Sequence, residues 1–157
     1  MGFTFPEDCK ITCLYTGAAN AVACDIISLK NAHKCWIMIH HTGSANTNLV
    51  LTLNEATDVA GGTSSAITTP CPIWWDGDAG ASSDTLVRTT DTYAYTINTG
   101  DNPVQLVVWE IDPTIFTDGY DCLKITDSGG HASNVVAIFA ITDPRQKQDP
   151  PLTNITD

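Results

Sequence analysis

Apolar and polar residues alternate with a period of two along most of this chain. That period is typical of β-strands, in which successive side chains point to opposite faces of a sheet. Clusters rich in Gly, Asn, Asp and Pro separate the alternating stretches and indicate turns. The pattern predicts strands at 21–29, 33–41, 48–56, 85–90, 92–97, 104–112, 120–126 and 132–142.

Two of these stretches also indicate where they lie in a sheet. In 48–56, three leucines at alternate positions are predicted to face the core. The stretch 33–41 is apolar on both faces, with Ile37 on one face and Met38 on the other, which is typical of a central strand.

The remaining signals complete an all-β prediction. Pro70 and Pro72 exclude a central strand from 67–75, and 113–119 predicts one helical turn that starts at Pro113. Even spacing of short strands favours an antiparallel β-sandwich, jelly-roll-like, of about eight strands in one domain. We assign residues 1–19 to an N-terminal arm, 20–145 to the sandwich and 146–157 to an extended C-terminal tail.

The composition agrees with this fold, and the net charge argues against two classes of partner. The chain has 157 residues, of which 43% are hydrophobic, so one domain can bury a core. The formal net charge is −11, from 7 basic and 18 acidic residues. Such a surface repels nucleic-acid phosphates and anionic membranes, so we expect neither as a partner. A basic protein partner is compatible with this charge.

The N-terminus begins MGFTFPEDCK and lacks the basic and apolar regions of a signal peptide. We therefore expect synthesis in a reducing cytoplasm. No stretch has the length of a membrane span. In that setting free buried thiols are the leading interpretation of the cysteines, while disulfides and a metal site remain alternatives. The six cysteines are Cys9, Cys13, Cys24, Cys35, Cys71 and Cys122.

The spacing of the histidines and of the loop carboxylates does not favour a metal site. The adjacent His40 and His41 point to opposite faces of one strand, so we interpret them, like His33 and His131, as surface or strand-end residues. Three aspartates in the loop DGDAGASSD resemble part of a calcium loop, but the full ligand pattern is missing. We interpret Asp76, Asp78 and Asp84 as solvated carboxylates.

No catalytic motif stands out. Glu110 and Asp112 point the same way along one strand, as paired carboxylates do in glycosidases, but they also simply end a strand. A Cys–His pair has no local signature here. We therefore expect no enzyme activity, no cofactor and no metal.

Adjacent tryptophans give a candidate contact residue. Trp74 and Trp75 must face opposite sides of a strand, so one is predicted in the core and the other exposed. We take Trp75 as the exposed anchor for a partner. Together with Trp36 and Trp109, these side chains would alternatively form a platform for sugars.

Three stretches carry a resemblance to a known class of proteins: ISLKNAHKCWIMIHH, LTLNEATDVAG and the segment from VVWEID to ITDPR. Their order and spacing resemble small virion structural proteins of tailed bacteriophages, some of which are head decoration, or cement, proteins. The resemblance covers most of residues 20–145.

The resemblance implies a non-enzymatic protein that binds and stabilises the head lattice on the outer capsid surface, after synthesis in the bacterial cytoplasm. It implies the major capsid protein as partner and a homotrimer or homodimer. A carbohydrate-binding module and a phage tail or adaptor component are the alternatives.

The two chain ends supply the remaining candidate contacts. Pro144 ends the last predicted strand, and Arg145 and Lys147 are two of only seven basic residues. We expect residues 143–157 to form an arm that reaches a neighbouring subunit. At the other end, Phe3 and Phe5 are candidate anchors of a second arm. Frayed termini are the alternative for both ends.

Overall fold

Two antiparallel sheets pack face to face in a computed structural model, which describes residues 5, 8–43, 45–80, 82–98, 103–145 and 153–155. The predictions of an all-β protein and of a single-domain antiparallel β-sandwich are confirmed. In chain order the elements are β1 (Lys10–Ala18), β2 (Ile27–Ser28), β3 (Ala32–Thr42), β4 (Leu49–Ala56), β5 (Ser64–Ala66), β6 (Ile73–Gly77), β7 (Val87–Arg88), β8 (Ala94–Ile97), β9 (Val104–Ile111), the 3-10 helix η1 (Pro113–Ile115), β10 (Cys122–Gly129) and β11 (Val135–Pro144).

The six-stranded sheet has the order β1-β11-β3-β9-β6-β7. The five-stranded sheet has the order β2-β10-β4-β5 and also holds β8, which pairs with another part of β4. The predicted central position of the strand at 33–41 is confirmed, because β3 pairs with β11 on one side and with β9 on the other.

The core lies between the sheets and is built from every second residue of the long strands. Leu49, Leu51 and Leu53 of β4 are fully buried, as the alternation predicts. Trp109 of β9 is among the largest fully buried side chains; its indole Nε1 donates a hydrogen bond to the carbonyl of Thr92 at 3.0 Å. The indole therefore enters the core without leaving its polar group unpaired.

The N-terminal arm assigned to residues 1–19 is wrong from Lys10 onward. Lys10–Ala18 forms β1, which pairs along its whole length with β11 at the edge of the six-stranded sheet. A bulge between Cys13 and Tyr15 shifts the register and allows Leu14 to be buried. The extra residue breaks the period-two alternation, which is why the sequence pattern did not indicate a strand here.

Several short elements also differ from the predicted pattern. Of the strand predicted at 21–29, only Ile27–Ser28 pairs, as β2. The stretches β5 and β6 form strands that the pattern did not predict. The helical turn is confirmed at η1, where the side chain of Asp112 accepts a hydrogen bond from the amide of Thr114.

We predict that Ile37→Ala lowers the free energy of unfolding by about 2–5 kcal/mol, because it leaves a cavity in the central strand of a tightly packed core. Ile37 is 0% exposed, whereas Val87 in the edge strand β7 is 57% exposed. Urea denaturation of both alanine variants measures the difference. Val87→Ala should stay within about 0.5 kcal/mol of the original chain, and an equal loss in both variants would contradict this core.

Candidate interaction surface

The outward side of the six-stranded sheet is unusually apolar. In β3, β9 and β11 one set of alternate residues is buried between the sheets, so the other set points away from the core. We call this second set, with its neighbours on β1 and β6, the outer face. Its larger apolar members include Ile11, Trp36, Met38, Trp74, Leu106, Val108, Phe139 and Ile141.

One apolar row of the outer face runs across five of the six strands. The strand registers place Cys13 beside Phe139, Phe139 beside Met38, Met38 beside Val108 and Val108 beside Trp74. Apart from the exposed Cys13, these side chains are half-buried by their neighbours. Directly opposite residues on adjacent strands contact one another, so the row is a continuous apolar band and not a scatter of single side chains.

Two ion pairs lie on and beside this face. The Lys34 ammonium forms an ion pair with Glu110, whose second carboxylate oxygen accepts a hydrogen bond from Trp36 Nε1 at 3.1 Å. The hydrogen bond from Lys34 is the main reason why the pKa of Glu110 lies below its usual value. At the far end of the row, the Arg88 guanidinium lies 4.6 Å from the Trp74 ring centroid and also pairs with Asp91.

The outward side of the five-stranded sheet has the opposite character. Its two long strands, β4 and β10, present mostly hydroxyl, amide and ammonium groups to the outside. Asn54 Nδ2 donates a hydrogen bond to Thr126 Oγ1 at 2.8 Å across these strands. The outward members are Val50, Thr52, Asn54, Lys124, Thr126 and Ser128. One sandwich therefore carries one polar and one apolar outer surface.

The structure reverses the predicted roles of the two adjacent tryptophans. Trp75 pairs with the fully buried Val107, faces the same way and packs against the core. Trp74 pairs with Val108 and lies on the outer face. Trp75 is therefore not the exposed anchor that we predicted, and Trp74 takes that place.

The other predicted contact residues are scattered. Phe5 is 48% exposed. Pro144 is the last residue of β11, as predicted, and lies opposite Ala32 after a bulge. Arg145 is tied to its own domain, since its Nε donates to the carbonyl of Ala32 at 3.0 Å. Phe3 and Lys147 lie outside the described residues.

The C-terminal tail docks on its own sandwich at Asn154, which is 8% exposed. The carbonyl of Asn154 accepts a hydrogen bond from the amide of Ser28 at 2.7 Å. Thr12 Oγ1 donates to Asn154 Oδ1 at 3.0 Å, and Asn154 Nδ2 donates to Thr142 Oγ1 at 3.5 Å. We call the group of Thr12, Ser28 and Thr142 the Asn154 pocket; it joins edge strands of both sheets.

One histidine departs from the prediction. His41 is 0% exposed, and within the described part of the chain neither ring nitrogen has a hydrogen-bond partner. It points inward because it belongs to the same alternate set of β3 as the buried Ile37 and Ile39. Burial lowers the pKa of His41, and the neighbouring His40 adds to that effect. His41 does lie near the end of β3, but the interpretation of it as a surface residue is wrong.

The loop aspartates are not gathered into a cluster. Asp76 is 5% exposed, so it is not the solvated carboxylate that we predicted, and its Oδ1 has no partner among the described residues. Asp78 accepts a hydrogen bond from Ser82, and Asp84 from Thr85. In the described residues no group of three or more His, Cys, Asp or Glu side chains has the geometry to hold a metal ion.

The strand-end carboxylates hold local structure, and burial keeps two of the thiols poorly reactive. Glu110 is engaged by Lys34 and Trp36, while Asp112 caps η1, so each of these carboxylates holds local structure. None of the six cysteines forms a disulfide bond. Burial raises the pKa of Cys35 and of Cys24 to about 12, which keeps both thiols protonated and poorly nucleophilic at neutral pH.

Sequence reasoning missed the outer face and the Asn154 pocket. The apolar runs in β3, β9 and β11 were a signal for the first, but such runs are typical of strands buried on both sides. The sequence gives no local signal for the Asn154 pocket, because Asn154 and Thr12 are 142 positions apart in the chain.

Comparison with known proteins adds no family assignment. Searches against protein-family models, curated proteins and solved structures gave no match to this chain. Among the described residues, no helix combines the length and the apolar character needed to cross a membrane.

We predict that acid destabilises the domain through His41. The unfolded chain takes up a proton at this residue near its ordinary pKa of 6.5, whereas the folded chain resists protonation because the ring is buried. The unfolding free energy should therefore fall as pH drops below about 6.5, by at most about 1.4 kcal/mol per pH unit.

Urea denaturation at pH 7.5 and 5.5 measures this loss, with His41→Leu as the comparison. The variant removes the titrating ring, so its unfolding free energy should fall less than that of the original chain between these pH values, the difference being at most about 1.4 kcal/mol. An identical fall in both proteins would contradict the assignment to His41.

Proposed function

We propose that this chain is a non-enzymatic structural protein of a tailed-phage virion, and most specifically a decoration protein that binds the outside of the capsid. The observation that carries the proposal is the apolar outer face of the six-stranded sheet. A protein that acts by covering another surface needs such a face, because removal of apolar area from water drives association. The resemblance of residues 27–41, 51–61 and 107–145 to phage virion proteins supplies the identity of the partner.

The dimensions of the outer face suit a protein interface. Six strands spaced about 4.8 Å apart span about 24 Å, and three rows of outward side chains cover roughly 14–20 Å along the strands. The face therefore measures roughly 400 Å² in projection. A patch of this size matches the apolar centre of a standard interface, which buries about 800 Å² on each partner.

The distribution of charge favours a shell protein over a second copy as the occupant of this face. The Lys34–Glu110 and Arg88–Asp91 pairs lie on and beside the outer face, which also holds Asp76 opposite Leu106 and Asp143 opposite Lys34. The chain as a whole carries 18 acidic and 7 basic residues. A second copy would bring the same −11 charge, whereas a near-neutral or basic lattice would be attracted.

Two contacts favour a protein partner over a glycan. The Arg88 guanidinium already covers the Trp74 ring, which a sugar would need to stack on. Both carboxylate oxygens of Glu110 already accept hydrogen bonds from Lys34 and Trp36, so they offer no ready partner to sugar hydroxyls. Apolar neighbours such as Met38 and Phe139 suit a protein surface.

We predict that Met38→Glu weakens binding to capsids at least about tenfold, because it places an unpaired charge at the centre of an apolar interface. Thr126→Glu is the matched control, since it puts the same charge on the outward side of the other sheet. Co-sedimentation of each variant with capsids that lack this chain measures the affinity, and circular dichroism checks that each variant folds.

The control should bind within about twofold of the original chain. Loss of binding in Thr126→Glu with full binding in Met38→Glu would contradict the outer face as the docking surface. Binding of the original chain to tails and not to capsids would replace the decoration role with the tail or adaptor alternative.

A further inference from the structure

The Asn154 pocket forms hydrogen bonds with both polar atoms of the Asn154 side chain and with its backbone carbonyl. Asn154 Oδ1 accepts a hydrogen bond from Thr12 Oγ1, and Asn154 Nδ2 donates one to Thr142 Oγ1. The backbone carbonyl of Asn154 accepts a third from the amide of Ser28. An aspartate would lose the donor, and an alanine would lose both side-chain bonds. The pocket is thus specific for an asparagine in a chain segment that lies along the edge of β2.

Of the described tail residues 153–155, only Asn154 is buried; Thr153 and Ile155 on either side are exposed. A segment held by one side chain and a few hydrogen bonds belongs to the part of a protein that opens most readily. When Asn154 leaves, the pocket of the same molecule becomes available to any other copy of the segment.

The connection to the domain allows a segment to reach another molecule. Arg145 is fixed at the end of β11 by bonds from its amide to Asn31 and from its Nε to Ala32. Seven residues, 146–152, separate Arg145 from Thr153. Fully extended, such a connection reaches about 25 Å.

We propose that the C-terminal segment around Asn154 is exchanged between copies of this chain, so that the Asn154 of one molecule fills the pocket of its neighbour. Exchange keeps the same contacts and therefore costs little free energy. It depends on concentration: a short tether gives the tail of the same molecule an effective concentration in the millimolar range. Dilute protein keeps its own tail docked, and a dense array of copies favours exchange.

The proposal does not depend on capsid binding, and two full-length variants test it by themselves. Asn154→Ala has an intact pocket and a disabled tail. Thr12→Val/Thr142→Val has an intact tail and a pocket without its hydroxyl groups, with side-chain volume conserved. Neither can dock its own tail well, but the first can accept the tail of the second. A triple variant that combines all three changes is the control.

The Ser28 amide reports on the pocket, because it donates to the carbonyl of Asn154. In nitrogen-15-labelled Asn154→Ala, we expect the NMR signal of this amide to move away from its position in the original chain. Addition of unlabelled Thr12→Val/Thr142→Val should move it back, with half-saturation in the millimolar range or below. The triple variant should leave the signal where it was.

Two results would overturn exchange. The first is a Ser28 signal that Asn154→Ala leaves unchanged, because the side chain would then not hold the tail. The second is a displaced signal that the tail donor fails to move at millimolar concentration, or that the triple variant moves equally well.

Discussion

The layer of apolar side chains enclosed between the two sheets is the constraint on which the rest of the structure depends. Every long strand contributes alternate residues to this layer, from Ile37 and Ile39 in β3 to Leu51 in β4. A slip of one residue in any strand would turn its buried set outward, so the layer fixes the register of both sheets. The register in turn decides which side chains remain on the outside.

What remains outside differs sharply between the sheets. On the five-stranded sheet, Thr52 and Asn54 alternate with the buried Leu51 and Leu53 and point outward, where water solvates them well. On the six-stranded sheet, Met38 and its apolar neighbours point outward, and water solvates these side chains poorly. Since the enclosed core is already complete, the apolar outer face adds nothing to it. Its composition is better explained by association with another protein, which is the basis of the proposed virion role.

The sequence could predict the elements whose pattern is local. The leucines of β4 and the two apolar faces of β3 follow directly from period-two alternation, and both predictions are confirmed. The alternation fails at β1, where the bulge after Cys13 adds a residue to the pattern. Alternation also predicts that Trp74 and Trp75 face opposite sides of their strand. It does not predict which of the two packs against the core, because that depends on the pairing of β6 with β9.

The features that sequence reasoning missed arise from contacts distant in the chain. Asn154 is held by residues from the first two strands and the last one, and His41 is buried by a second sheet whose position the alternation does not specify. The apolar outer face was visible as continuous apolar runs. A run of this kind cannot say whether its second face is covered by the same chain or by a partner.

Cryo-electron microscopy of tailed-phage capsids that were assembled without this chain, after the purified protein is added, tests the proposed decoration role directly. We expect regular added density on the outer lattice, with the six-stranded sheet against the shell and the five-stranded sheet toward solvent. Bare capsids, or bound protein with its six-stranded sheet facing solvent, would contradict it.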